Sequence, residues 1–347
     1  MLYASGIGVN LRSILENLKS DARFILAGDP NEINTLSLSI NYTIIRFKHP
    51  IFSMREQWFY FRYFNKVDCI WFPHWNIPLL NFNQIPKVVT ICDTYHLDRR
   101  NEISHLNYLI ARIFLNRAVS QAHKVITISE FSRKKIHENL GVTNIKVVKC
   151  GVPEIKKYYN KNVQNKLELP KNYFLFIGNN KPHKNLEKLV RAIDAIPDIH
   201  LVIAGRMDGF RTQGNLFGVG SKKGAIQLNR VHIIDQFTDE DKYYLINNSQ
   251  GLVMPSTYEG FGLPPLEAQD CGVLALVSDI PVMREIYGDS VLYFDPHSHA
   301  DIRRAIVSAI TDKDLVAKKC YQGNLNVKKY SWKAAAVQYQ KIFEAII

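Results

Sequence analysis

The chain has 347 residues, enough for two domains that each bury a core. Its 46% hydrophobic and 22% charged residues are those of a globular protein and exclude a disordered or fibrous one. The net charge of +12 points to an anionic partner, and five scattered cysteines, an odd number, argue against a disulfide framework.

The charge is uneven. Residues 1–150 carry 19 Lys and Arg against 11 Asp and Glu; residues 151–347 carry 25 against 21. A basic first half suits nucleic acid, a membrane surface or a diphosphate-bearing substrate. Nucleic acid is set aside because no recognised binding motif accompanies the charge. No apolar run reaches the roughly 20 residues of a membrane span, and no charged-then-apolar leader opens the chain. The scattered cysteines suggest reduced thiols in a cytosolic protein.

Short apolar runs alternate with helix-like segments, the pattern of parallel sheets with crossover helices. In the first half the predicted strands are 24–27, 43–47, 69–72, 88–92, 125–129 and 146–149. In the second they are 173–177, 200–204, 231–234, 251–254, 274–278 and 291–294. Two doubly wound sheets of similar size are expected. The stretch 153–171, rich in Lys, Asn and Tyr, is the predicted linker.

Met1 to Ala4 precede Ser5-Gly6-Ile7-Gly8 almost directly, so a first strand is missing or very short, and a helix follows with Leu11, Ile14, Leu15 and Leu18 at helical spacing. This is not a dinucleotide fingerprint, because Leu11 stands where a third glycine or alanine belongs. Arg55 to Lys66 reads as an aromatic-rich helix. It is either a core helix, the preferred reading, or a segment that touches a lipid-linked acceptor or membrane interface. Phe72-Pro73-His74-Trp75-Asn76 follows a strand and makes His74 a cleft candidate. Asp93 stands at the carboxyl end of the 88–92 strand, where ligands of such sheets bind. Ser129 is expected to cap the next helix.

The second half carries the clearer chemistry. Gly178-Asn179-Asn180-Lys181-Pro182-His183-Lys184-Asn185 joins a strand to a helix, and its ammonium groups suit a diphosphate. Asp239-Glu240-Asp241 has the look of a metal-binding D-x-D. The preceding Thr238 and the helical continuation instead make these acids a helix start. No His/Cys cluster has zinc spacing, so no metal and no cofactor are expected. Pro255 to Glu267 reads PSTYEGFGLPPLE. Pro264 and Pro265 open a helix, because proline tolerates the first turn. Gly260, Phe261, Gly262 and Leu263 then lie just before a helix N-terminus, which attracts phosphate. A carboxylate is repelled by a diphosphate, so Glu259, on the loop, and Glu267, in the first helical turn, are expected to face hydroxyls. Diphosphate flanked by hydroxyl-binding carboxylates describes a nucleotide-sugar.

This stretch resembles the signature of retaining GT-B glycosyltransferases, in particular glycosyltransferase family 4, whose donor site carries Glu, seven residues, then Glu. The resemblance covers most of the chain. It implies an α/β protein of two Rossmann-like doubly wound domains facing across a cleft. Residues 1–155 would bind the acceptor and 156–328 the nucleotide-sugar donor, with 329–347 a terminal helix crossing back to the first domain. It further implies that Glu259 holds the sugar hydroxyls, Glu267 the ribose, and Lys184 the donor phosphates. Gly6 and Gly8 would form a loop near those phosphates. Asn179 stands where the family often has Arg, with Lys181 as a replacement. The family has His-Asp at 92–93, so Cys92 departs from it while Asp93 stays as a catalytic candidate, with His96 a spatial substitute. His74 would lie on the acceptor side.

The pattern looks most like bacterial mannosyltransferases of O-antigen, capsule and exopolysaccharide assembly. That implies GDP-mannose as donor, a UDP-hexose second, and a polyprenyl-diphosphate-linked saccharide acceptor. It also implies a peripheral position on the anionic inner face of the cytoplasmic membrane. Two other classes remain open: a nucleotide-sugar epimerase and a non-catalytic sugar-binding protein on the same fold.

Overall fold

In the computed structural model, residues 6–47, 49, 53–63, 67–79, 85–153, 169–205 and 228–347 are described. The chain divides into two compact units, Met1–Gly151 with Tyr330–Ile347, and Val152–Lys329. Residues 1–5, most of the predicted linker, and residues 64–66 of the aromatic helix lie outside the described residues.

The first unit runs α1 (Gly6–Asn17), β1 (Arg23–Gly28), α2 (Pro30–Ile33), β2 (Asn41–Arg46), α3 (Met54–Tyr63), β3 (Ile70–Phe72) and β4 (Lys87–Thr90). It continues through α4 (Tyr95–Asp98), α5 (His105–Gln121), β5 (Lys124–Thr127), α6 (Glu130–Leu140) and β6 (Ile145–Val147). All its strands are parallel, in two ladders: β1-β2, and β3-β4-β5-β6. A single six-stranded sheet was the expectation. Among the described residues no strand joins the two ladders, and the short stretch before α1 is outside them.

Phe72, Ile91, Phe114, Leu115, Val125 and Ile136 form the core of this unit. α3 belongs to it through Phe59 and Tyr60, while Trp58 is 66% exposed. Phe59 and Tyr60 of α3 therefore serve as core, while Trp58 and Tyr63 face outward. α6 starts where Ser129 Oγ accepts from Ser132 N at 3.0 Å, as its sequence requires, and stops at left-handed Gly141.

The terminal helix α13 (Trp332–Glu344, numbered after those below) packs into this same unit. Tyr339 is fully buried, its hydroxyl 3.1 Å from Thr90 Oγ1, which also accepts from Trp71 Nε1 at 2.9 Å. The helix start lies hard against Gly151: a Cβ there would sit 2.1 Å from the Trp332 amide nitrogen.

The second unit contains β7 (Tyr173–Ile177), α7 (Leu186–Asp194), β8 (His200–Ala204), β9 (Val231–Ile234), α8 (Asp239–Asn247) and β10 (Gly251–Met254). Then come α9 (Leu263–Asp270), β11 (Ala275–Ser278), α10 (Pro281–Tyr287), β12 (Leu292–Phe294), α11 (His299–Thr311) and α12 (Lys313–Val327). Its six parallel strands lie in the order β12-β11-β10-β7-β8-β9. Helices cover such a sheet on both faces, so the strands are continuous apolar runs. Phe174, Phe176, Leu201, Ile203, Val253 and Leu276 are each at most 1% exposed. The order reverses between β10 and β7. At such a switch point the following loops diverge and leave a crevice at the carboxyl ends of the strands. Among the described residues no helix is long and apolar enough to cross a membrane.

Candidate active site

The two loops at the switch point are stapled together. After β7 the chain makes a 3-10 turn, Pro182–Lys184, and reaches Asn185 at φ 56°, ψ 33°. Asparagine is among the few residues that adopt this left-handed conformation readily. Its side-chain amide donates to Pro255 O at 3.0 Å and to Pro296 O at 2.7 Å. The Thr257 amide donates to His183 O at 2.8 Å. These bonds bring the Lys184 turn against the loop that follows β10. As a result Lys184 Nζ lies 2.5 Å from Glu259 Oε1, with side chains 16% and 12% exposed. Asn179 lies on the Lys184 loop; Lys181, on the same loop, is exposed and immediately precedes the turn. Asn179 Oδ1 and fully buried Ser256 Oγ have no hydrogen-bond partner among the described residues.

The loop then enters α9 at Gly262, whose φ of 89° and ψ of 69° disfavour a side chain. A Cβ there would also meet Met283 Cε at 2.9 Å. Tyr287, buried beneath, donates its hydroxyl to Gly262 O. The helix begins at Leu263, one residue before the expected Pro264, and Glu267 is its fifth residue rather than part of the first turn. Pro264 and Pro265 carry no N–H, so an anion at this end would be met by Leu263 and the loop amides of 260–262.

Glu267 is 5% exposed, and its Oε1 accepts from Lys242 Nζ at 2.7 Å. Lys242 also lies 3.5 Å from Asp239. Burial works against the ammonium, but the Glu267 and Asp239 carboxylates outweigh it and raise its pKa above the ordinary value. The sequence reading overlooked Lys242. The acids before it were correctly assigned to the helix start, where Thr238 and Asp241 form a reciprocal capping box. A lysine one turn into such a helix usually faces solvent, and only the packing of α8 reveals otherwise.

Burial first, then the Glu267 charge, pushes the Asp270 carboxyl up to about 6 from 3.8. The unfolded carboxyl ionises first, so stability falls as pH rises through that window and the penalty persists above it. Asp270→Asn is expected to raise stability at pH 7.5 by about 1 kcal/mol, discounted because Asp270 is only partly buried, and to change nothing near pH 3.5. Urea titrations at the two pH values measure this.

The remaining candidates belong to the first unit. Gly6 and Gly8 lie inside α1, where a phosphate-facing loop was expected; Gly6 has open space around it and no left-handed φ. Asp93 follows β4, and its Oδ1 accepts from Tyr95 N at 3.0 Å, making the turn into α4. Burial, with Cys150 and Asp93 nearby, pushes the Cys92 thiol well up, so it stays neutral. His74 Nδ1 is 3.2 Å from Asn76 Oδ1, and its ring lies tilted with its centroid 4.5 Å from that of Trp75, which His96 meets edge-on at 5.8 Å.

Residues 159–324 match the family described as glycosyl transferases group 1. The chain is similar to O-antigen chain mannosyltransferase B of Escherichia coli, 27% identical over 237 residues, which cover 65% of this chain and 61% of that protein. It is equally similar to O-antigen chain mannosyltransferase RfbU of Salmonella typhimurium, 27% identical over 238 residues, covering 67% and 62%. The match thus spans less than two thirds of the length of these curated relatives. Among solved structures, Anabaena Alr3699/HepE in complex with UDP-glucose superposes with a TM-score of 0.78 at 17% identity, covering 99% of this chain and 97% of that one. The chain carries a glycosyl transferases group 1 domain over residues 159–324 and has the GT-B fold.

Proposed function

We propose that the chain is a retaining, metal-independent hexosyltransferase that moves mannose from GDP-mannose to a saccharide acceptor. The observation that carries this reading is the Lys184–Glu259 pair at the sheet's switch point, beside the junction at Gly262 and Leu263. The names of the similar mannosyltransferases support the sugar and a role in O-antigen assembly.

In this reading the bond from the anomeric carbon to the diphosphate breaks ahead of acceptor attack. Lys184 and the amides of 260–263 take up the negative charge that grows on the leaving phosphate. Glu259 accepts from the sugar hydroxyls and Glu267 from the ribose. The acceptor hydroxyl attacks from the face the diphosphate leaves, and its proton passes to the departing phosphate oxygen. Anomeric configuration is retained. Asp93 and His74 serve the acceptor side, and Asn179 and Lys181 the donor. The acceptor is a polyprenyl-diphosphate-linked saccharide met at an anionic membrane surface, which the basic first half attracts.

A second reading, a UDP-hexose donor, is favoured by the UDP-glucose carried by the structural neighbour Alr3699/HepE. Nuclear magnetic resonance of the product from GDP-mannose and from UDP-glucose separates the two and reads the anomeric configuration. An isomerised nucleotide-sugar formed without acceptor would instead identify an epimerase. Lys184→Ala is expected to weaken donor binding and to lower kcat/KM by about a hundredfold, with EDTA changing neither variant nor parent. Steady-state kinetics measure both effects, and an activity lost to EDTA and restored by magnesium would contradict metal independence.

A further inference from the structure

We propose that Lys242 is a positioning residue: by occupying one oxygen of Glu267 it sets that carboxylate to accept from the donor's ribose hydroxyls, and so fixes the preference for a ribonucleotide. This deepens the donor-site reading and rests on it. Lys242 and Glu267 come from different helices, α8 and α9, and their side chains are 9% and 6% exposed. The 2.7 Å contact uses Oε1 only; the described residues give Oε2 no hydrogen-bond partner. Oε2 is therefore the acceptor left for a ligand, and its direction is fixed once Oε1 is held. Asp239, 3.5 Å from the same ammonium, holds the lysine from its other side, so Lys242 is not available to swing towards a phosphate. The capping box between Thr238 and Asp241 orders the turn that carries both Asp239 and Lys242. As a device for stability alone, a buried ion pair is poor, because two desolvated charges recover little more than well-packed apolar groups would. Its value here is geometric: a carboxylate with one oxygen held can offer the other in a single direction.

The test is the binding of GDP, UDP and their 2′,3′-dideoxy forms by calorimetry, in the parent chain and in Lys242 variants. The parent is expected to bind one ribonucleotide at least about tenfold tighter than its dideoxy form, since an unfilled buried acceptor is costly. Lys242→Met is expected to reduce that ratio to about twofold, by weakening the ribonucleotide while leaving the dideoxy form unchanged. Lys242→Arg, which keeps the charge, is expected to restore most of the ratio. A folded Lys242→Met protein that keeps the parent ratio overturns the proposal. Should that variant fail to fold, Lys242→Ala, which leaves room for water beside Glu267 but no side-chain donor, is read in its place: a lowered ratio supports the proposal and a parental one overturns it. A parent chain that binds a ribonucleotide and its dideoxy form equally defeats the Lys242–Glu267 assignment alone. One that binds neither GDP nor UDP defeats the donor-site reading beneath it.

Discussion

Glu259→Ala is expected to abolish sugar transfer, with kcat/KM falling at least about a thousandfold while the protein stays folded. Two losses combine. The sugar hydroxyls lose their acceptor, so the hexose is no longer held for attack. Lys184 also loses the carboxylate 2.5 Å away that fixes its ammonium beside the loop. The fold should tolerate the change, because Glu259 sits on a loop and its partner is 16% exposed, within reach of water. The loop itself is held by other bonds, from Asn185 to Pro255 O and from Thr257 to His183 O. Glu259→Gln separates the two losses: it keeps hydrogen-bonding capacity towards hydroxyls but removes the charge that anchors Lys184, and an intermediate rate is expected. Product formation measured beside a thermal melt decides, and normal turnover in Glu259→Ala would remove this residue from the site.

The second large effect concerns the fold. Gly151→Ala is expected to destabilise the chain by about 3 kcal/mol. The added Cβ would lie 2.1 Å from Trp332 N, 2.5 Å from Ser331 C and 2.8 Å from Trp332 Cα, all backbone atoms that no rotamer change can relieve. The start of α13 must move, and with it the buried Tyr339 and its contacts to Thr90 and Trp71. Gly141→Ala is the control. Its φ of 69° strains an alanine, but nothing lies within 4 Å of the added carbon, so a loss of about 1 kcal/mol is expected. Thermal melts of the two variants should differ clearly, and equal melting temperatures would mean that α13 is not held as described.

The second unit was legible in the sequence to the residue in places. Strands 173–177, 200–204, 231–234 and 251–254 match because a doubly covered parallel strand is an unbroken apolar run ended by turn residues. In the first unit β3, β4, β5 and β6 are three or four residues long, and nothing in so short a run says which neighbour it pairs with. Gly6-Ile7-Gly8 misled for a related reason. Glycine pairs look like loops, yet here they occupy the first turn of α1, where glycine costs least because the first amides have no helical acceptor to lose.

In the site, the glycine and proline chemistry of 255–267 was visible because each residue type there answers a local backbone need. The Lys184–Glu259 contact was not, since it joins residues 75 apart through the adjacency of β7 and β10, a property of topology. Lys242 was hidden more deeply. Its role depends on how α8 leans on α9, and no local pattern encodes that.

The central claim is that a sugar diphosphate lies against the Gly262–Leu263 junction in the second unit, with Lys184 on its phosphates. A crystal structure with bound GDP-mannose measures this directly. The account predicts diphosphate density within hydrogen-bonding distance of Lys184 Nζ and of amides in 260–263, with the hexose on Glu259. A nucleotide-sugar bound elsewhere, or that junction filled by the protein's own side chains with the donor present at saturation, would contradict it.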